Sequence, residues 1–594
     1  MITQAGALNT TALQTPDLYI QIVPPQISLL NGVPTNIVGL VGTAAWGPKN
    51  APVDVSGPLD YASQFGNLQN RKYDMGSALA VASLQGSAAV YKCVRVTDGT
   101  DLAAAALVGS GGALSGAGVV ASGGTGYATA PTLTVSAPDL PGGTQATATA
   151  VVTAGAITSV TFAGGTGYFK KPTVTVGGPG TGGAITAPDP SAFAVGVLSK
   201  HTGSAANGAK LVLSTGSAVG SFKAVIAMRG YVPEVFDNLT GTGAAFWTAL
   251  ANAINLGQNG IRGPSQLMTA YAGGATTAAA AAEYTLAGGT DGANVNSSHM
   301  LGSDVSPRTG MYALRNSRAS IAALVDCDTV STFTNQIAYG LSEGTYMLLV
   351  GPSSDTVANA ISVKNTAGID SYAAKYCFGD YVYFNDTVNG QVRMISPQGF
   401  FAGILGNLSP QESSLNKPMQ GVVATQKSMT QQPYSSAELQ EFALNGMDVI
   451  TNPIPAGNVF GARMGRNTSS NAVIHGDNYT RMTNYIAATL NAGMGRFVGK
   501  THTPTLRRNA KATLNAFLSG LADQGLIGTA SGDVPFQVVL DDSNNLPSRV
   551  ALGYMQADVK VVYLSIVEFF IVNLEGGQSV VISRRDTGPI VAQA

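Results

Sequence analysis

Charge is scarce in this chain. Asp, Glu, Lys and Arg make up 11% of its 594 residues, against roughly a quarter in an ordinary soluble domain. The balance is also neutral, with a formal net charge of −1, so no global field draws the chain to nucleic acid or to an anionic membrane. A large soluble protein with so few charges invites association unless much of its surface is covered, and obligate assembly is the expectation. Cysteine is nearly absent: Cys93, Cys327 and Cys377 lie far apart, which argues for a reducing compartment and against a disulfide framework. Only four histidines occur, His201, His299, His475 and His502, and none sits in a recognisable Ser/His/Asp setting. The glycine-rich stretch between residues 97 and 230 carries no Gly-Lys-Ser/Thr to cradle a phosphate. Long apolar runs are missing too. The longest candidate is broken by Lys560 and Glu568, short of the ~18 residues a membrane span needs. The opening Met1-Ile2-Thr3-Gln4-Ala5-Gly6 has no cationic stretch followed by an apolar run, so no secretory signal is expected. Neither a catalytic residue nor a metal or cofactor site is expected.

What is abundant is glycine, 73 residues, and a length that implies about three or four domains. The most informative stretch is Ala557 to Leu574. It is rich in β-branched and aromatic residues, which favour pleated backbone. Val562, Leu564, Ile566, Phe570, Val572 and Leu574 fall on one face, and Val561, Tyr563, Val567, Phe569 and Ile571 on the other. With both faces apolar, the stretch reads as an interior strand. Glu575-Gly576-Gly577 supplies a turn, and Gln578 to Ile582, with Val580, Val581 and Ile582, returns as a second strand. Such a hairpin needs partners from its own molecule or from a neighbour.

At the other end, residues 1–16 read as unstructured. Asp17 to Val23, including Leu18, Tyr19, Ile20 and Ile22, reads as a short strand stopped by Pro24-Pro25. Strands follow at Asn36–Gly42, Val53–Val55 and Ala89–Val96. A helix capped by Asp74 runs to Gln85, with Gly86 as its stop.

From residue 97 to 230 the composition shifts to Gly, Ala, Thr, Val and Ser. Gly123-Gly124-Thr125-Gly126-Tyr127 followed by Pro131-Thr132-Leu133-Thr134-Val135 recurs as Gly164-Gly165-Thr166-Gly167-Tyr168 followed by Pro172-Thr173-Val174-Thr175-Val176. Each copy is a glycine turn, a tyrosine to pack and an alternating strand. No helix follows the glycines, so a phosphate site is not expected. Two copies are too few for a propeller. The repeat reads as a small β-decoration.

Further on, Phe246, Trp247, Leu250 and Ile254 keep helical spacing over Ala244–Leu256. The runs Ile321–Val325, Tyr346–Val350 and Tyr381–Phe384 read as buried parallel strands, with Ser354 or Asp355 capping a helix between the last two. This alternation argues a doubly wound sheet. Asp326 and Asp328 flank Cys327 at a strand end, where ligands often bind, but structural packing is the better reading. Ser435 with Glu438 forms a capping box. His475-Gly476-Asp477 reads as a loop with Asp477 capping a helix to Leu490. Thr503-Pro504 opens the longest helix, with a core stripe of Leu506, Ala510, Leu514, Phe517, Leu518 and Leu521. Beside the stripe lie Arg507, Arg508 and Lys511. The two arginines oppose the helix dipole at about 0.3–1 kcal/mol each, so an external acidic partner is weighed against a solvated face.

Gly32 to Ala44, Trp46-Gly47-Pro48 and Ala51-Pro52-Val53 resemble the opening of contractile tail sheath proteins of myophages, a family related to tailocin and secretion-system sheaths. Tyr61 to Gly66, Val90–Val96, Lys200–Leu213, Pro233–Leu239, Leu286-Ala287-Gly288-Gly289-Thr290-Asp291-Gly292, Thr309–Arg315, Ser396–Gly403 and Asn416-Lys417-Pro418 fit the same pattern. The resemblance implies a non-enzymatic α+β multidomain chain. Its parts are an extended arm at 1–30, an α/β segment at 31–100 and a β-sandwich at 101–240 carrying the repeat at 122–176. A subtilisin-like but non-catalytic α/β domain at 241–410, a tube-facing α+β domain at 411–575 and a terminal arm at 576–594 complete it. It further implies hexameric rings stacked around a tail tube, with the tube, baseplate and tail terminator proteins as partners and no cofactor, nucleic acid or membrane insertion. The location implied is the virion tail, assembled in host cytoplasm. The terminal strands would pair between subunits by β-augmentation, and Arg507, Arg508 and Lys511 would face the tube. The rival readings are the sheath of a tailocin or secretion-type contractile device and, from a different class, a hydrolase on the α/β block.

Overall fold

The computed structural model describes residues 30–572 and 574, together with the backbone of the strands Ile2–Ala5 and Tyr19–Ile22. Its largest sheet has seven strands: β1 Ile37–Gly42, β2 Pro52–Val55, β3 Val90–Arg95, β4 Ile321–Leu324, β5 Tyr346–Val350, β6 Ala374–Cys377 and β7 Met447–Asp448. They lie in the order β7-β6-β5-β4-β1-β3-β2. All neighbours are parallel except β2, which runs antiparallel to β3. The reason is legible in β5, Tyr-Met-Leu-Leu-Val, which is buried throughout as a parallel strand covered on both faces must be. Tyr346, Leu348 and Val350 enter one core, and Met347 and Leu349 enter the other. Residues 31–100 therefore share one sheet with the central block rather than standing as a separate segment.

Helices cover both faces. Asp74 caps Met75–Ser83 by accepting from the Ser77 amide, and this helix crosses Gln398–Asn407 at backbone contact. A Cβ on Gly399 would lie 2.8 Å from the Ala78 carbonyl oxygen, and one on Gly403 would run into that of Ala82. The helix leaving β5 is Val357–Thr366. It is capped by Thr356, which accepts from the Asn359 amide, and not by Ser354 or Asp355. The next parallel strand is β6. Val382–Asp386, expected in that role, instead pairs antiparallel with Gln391–Ile395 in a separate three-stranded sheet. Its alternating buried and exposed residues suit a sheet packed on one face only.

The β-sandwich continues past residue 240. Met268–Ala272 pairs with Val195–Ser199, and Ala282–Thr285 pairs with Lys210–Thr215. The helix Ala244–Leu256 buries Phe246, Trp247, Leu250 and Ile254 in the same core.

The two repeat copies interlock. Val119–Thr125, which leads the first copy, pairs with Thr181–Thr186, which trails the second. Ala156–Gly165, which leads the second, pairs with Thr147–Thr153, which trails the first. Between them Leu133–Val135 lies antiparallel to Val174–Val176, Val135 opposite Val174. Tyr127 and Tyr168 are both buried in the small core this exchange creates. Between residues 111 and 192 the charged side chains are Asp139, Lys170, Lys171 and Asp189. They cancel as Lys170–Asp139 and Lys171–Asp189, each at 3.2 Å. Ile2–Ala5 pairs parallel with Tyr19–Ile22. The strand expected over 17–23 is present at Tyr19–Ile22, while the reading of 1–16 as unstructured fails at Ile2–Ala5.

Candidate assembly surface

The carboxy-terminal unit is built on helices α1, Asp477–Met494, and α2, Pro504–Asp523, with a hairpin of β8, Phe536–Val539, and β9, Asp558–Val561. Thr503 caps α2 by accepting from the Leu506 amide at 3.1 Å, and Pro504 takes the first helical position. Ala510, Leu514, Phe517, Leu518 and Leu521 are buried as their spacing predicts, and Met482, Ile486 and Val538 join the last four in one core.

The expected unbroken strand over 558–574 is not formed within the chain. Its ladder stops at Val561 because its neighbour starts after Pro535, which has no amide to donate. Pro535 still accepts from the Val562 amide at 2.7 Å. The segment then crosses the start of α1. The Tyr563 hydroxyl lies 3.2 Å from Thr483 Oγ1, its ring meets Tyr479 edge-on, and Asn478 Nδ2 donates to the Leu564 carbonyl at 3.3 Å. Glu568 accepts from Arg466 Nη2 at 2.6 Å, with His475 Nδ1 3.8 Å away. Burial and Arg466 hold His475 below its ordinary pKa. Past Glu568 the described side chains are exposed. Phe569, Phe570, Ile571 and Leu574 are 80–91% exposed, and Val572 follows them out. Of the other residues expected to exchange, Val562 and Leu564 are exposed and Ile566 is half-buried, while Tyr19, Ile20 and Ile22 lie in the short amino-terminal strand. Leu18, Val580, Val581 and Ile582 fall outside the described residues.

The basic cluster finds acidic partners inside the chain. Arg507 Nη1 meets Asp542 at 2.5 Å and Lys511 Nζ lies 3.7 Å from Asp541. Arg508 is exposed, and its guanidinium touches Thr505.

Other residues that sequence patterns singled out are structural. Asp291, in the Leu-x-Gly-Gly-x-Asp-Gly stretch, accepts from the Ser204 amide and hydroxyl, both at 2.6 Å, and from Gln69 Nε2 at 2.7 Å. It thereby ties the sandwich to the large sheet. Asp326 accepts from the Ser396 amide, and burial raises its pKa. Asp328 pairs with Lys72 at 2.8 Å. His201 stacks edge-on against Trp46, and burial and Arg95 push its pKa down to about 4. His299 completes a capping box with Asn296. Ser435 and Glu438 form theirs as expected.

Asp477 corrects one assignment: Gly476 is the N-cap of α1, and the Asp477 carboxylate turns inward. It accepts from Tyr346 Oη at 2.5 Å and from Ser414 Oγ, and both its oxygens lie 3.1 Å from Lys375 Nζ. Lys375 also meets Asp448 at 2.5 Å, and all three charged side chains are fully buried. Burial alone would depress the Lys375 pKa, but the two carboxylates hold it well above its ordinary value. Sequence patterning missed this cluster. Its one signal is a lysine inside the apolar strand Ala-Lys-Tyr-Cys.

Among the described residues no three His, Cys, Asp or Glu side chains gather as metal ligands would, and no helix is long and apolar enough to cross a membrane.

No protein-family model matches the sequence, and no curated protein matches it. Solved structures do match. A sheath tail protein from Listeria innocua is 11% identical, with 86% of this chain and 90% of that chain covered at a TM-score of 0.50. A sheath tail protein from Desulfitobacterium hafniense is 12% identical, with 88% and 94% covered at 0.49. The sheath of an extracellular contractile injection system in its contracted state is 14% identical, with 44% and 71% covered at 0.37. The chain thus has the mixed α/β multidomain fold seen in a sheath tail protein, and these structural neighbours are sheath proteins rather than enzymes.

Proposed function

We propose that the chain is the structural subunit of a contractile tail sheath, polymerising as stacked hexameric rings around a tail tube and contracting to drive that tube through a host envelope. The observation that carries this reading is the bare apolar end at Phe569–Leu574, on a chain that shares its fold with a sheath tail protein. Five bulky side chains left in water are unfavourable for a monomer and suit a segment that a neighbour covers. The β8–β9 hairpin beside them is two-stranded, a form marginal by itself. Strands from adjacent subunits, drawn from the segment after Val561 and from Tyr19–Ile22, would extend it by backbone pairing, which gives affinity without charge. That suits a chain with 11% charged residues.

Tethered in this way, subunit bodies can slide and exchange polar contacts as rigid units. A bias of about 5.5 kcal/mol moves a two-state equilibrium from 1:99 to 99:1, so a modest preference per subunit, summed over a cooperative tube, drives contraction without ATP. Arg508 is the basic residue most available to a tube surface, because Arg507 and Lys511 already meet Asp542 and Asp541. The subtilisin-like topology, the baseplate, terminator and tube partners, and the virion setting belong to this reading.

A tailocin or secretion-type device would use the same subunit. Neighbouring capsid and terminase genes decide for the phage. Electron microscopy of the purified full chain tests the reading itself: hollow striated cylinders are expected, and dispersed monomers at all concentrations overturn it.

A further inference from the structure

We propose that Lys375 and Asp448 condense into an amide that staples β6 to β7 covalently. The two residues come from adjacent parallel strands, in which Cys377 is paired with Asp448 and Lys375 lies on the same face as Cys377. Lys375 Nζ sits 2.5 Å from Asp448 Oδ2, and neither side chain is exposed to solvent. The Phe401 ring lies 5.0 Å from the same nitrogen and closes the apolar side of the site. An enclosed amine held against a carboxyl has the proximity such a step needs, and exclusion of water opposes its reversal.

The other groups divide the chemistry. Asp448 Oδ1 accepts from the amides of Val449 and Met464, each at 2.9 Å, and Oδ2 accepts from the Gly465 amide at 2.9 Å. The first two are placed to stabilise negative charge that develops on Oδ1 when nitrogen adds to Cγ. Asp477 touches Nζ with both oxygens and is the base. Against the cost of burial, the Lys375 charge, Ser414 and Tyr346 Oη keep it ionised before the proton moves.

The step balances without a co-reactant. Asp477 takes a proton from the Lys375 ammonium and passes it to Asp448 Oδ2, and the freed nitrogen adds to Cγ of the protonated carboxyl. A second proton then follows from nitrogen to Oδ2, and the Cγ–Oδ2 bond breaks to release one water. The Nζ–Cγ bond replaces one buried ion pair, whose desolvation offsets much of its attraction. Asp477 remains as the carboxylate and accepts from the new amide N–H.

Mass spectrometry of the full chain tests this directly, and it does not depend on the assembly reading. The denatured protein is expected about 18 Da, one water, below its sequence mass, and digestion is expected to yield a branched peptide joining the segments around 375 and 448. Lys375→Arg and Asp477→Asn restore each variant's own sequence mass. Asp448→Asn lets ammonia leave instead, about 17 Da below its sequence mass. A wild-type chain at its sequence mass, or a deficit that maps elsewhere, overturns the proposal. That measurement stands alone if a variant does not fold.

Discussion

Glu568 meets Arg466 at 2.6 Å, and among the described residues this ion pair is the last polar contact before the exposed apolar end. Upstream, Tyr563 and Leu564 are tied to α1. The pair therefore fixes where the segment leaves the body.

Replacing Glu568 by Gln should free residues 562–568 without loosening the rest. A partly exposed pair contributes about 0–1 kcal/mol, so the global melting temperature should barely move. Hydrogen exchange is expected to rise over 562–568 alone. Unchanged exchange there would show that Tyr563 and Leu564 hold the segment unaided.

Asp291 gathers donors from two parts of the fold, the sandwich through Ser204 and the segment before α-helix Met75–Ser83 through Gln69. Asp291→Ala leaves these donors unmatched and should destabilise the chain by about 2–4 kcal/mol. Urea unfolding checks the value. Asp291→Asn keeps acceptor capacity and should lose less.

The helix pair Met75–Ser83 and Gln398–Asn407 meets at Gly403, where a Cβ would enter the space of the Ala82 carbonyl. Gly403→Ala should force the helices apart at about 1–3 kcal/mol. Gly344→Ala is no control, because its φ of 66° adds backbone strain. Gly520, helical and with open space around it, is the proper one: Gly520→Ala should be neutral or stabilising.

His201 makes stability depend on acid. Its folded pKa is about 4 against an ordinary 6.5. Between those values the unfolded chain binds more protons, so stability rises with pH across that window and is lost as pH falls through it. Asp74 works the other way: burial raises its pKa from 3.8 to about 6, so the folded state binds more protons there and stability falls as pH rises from 3.8 to 6. Subtracting a His201→Gln melting profile from the wild-type profile isolates the histidine. The difference should rise from pH 4 to pH 6.5 and level off on either side; a flat difference contradicts the assignment.

Much of the fold is legible because local rules agree with the global arrangement. β1, β4 and β5 are unbroken apolar runs of strand length, and Asp74, Ser435 and Thr503 cap where their side chains say they should. What escaped depends on distant partners. That β1 and β3 lie beside β4 is a pairing no local pattern encodes. Pro535 cuts short the strand after Asp558 from across the hairpin. Asp477 looks like a helix cap until Lys375, more than 100 residues earlier, is placed beneath it. The apolar end was legible as a stretch that needs covering, but its expected interior strand is not formed among the described residues past Val561.

The central claim is that neighbours cover this end. Sedimentation and electron microscopy of the full chain beside one ending at Glu568 test it most directly. The account predicts cylinders from the first and a folded monomer from the second. Identical cylinders from both, or a stable monomer from the full chain, would contradict it.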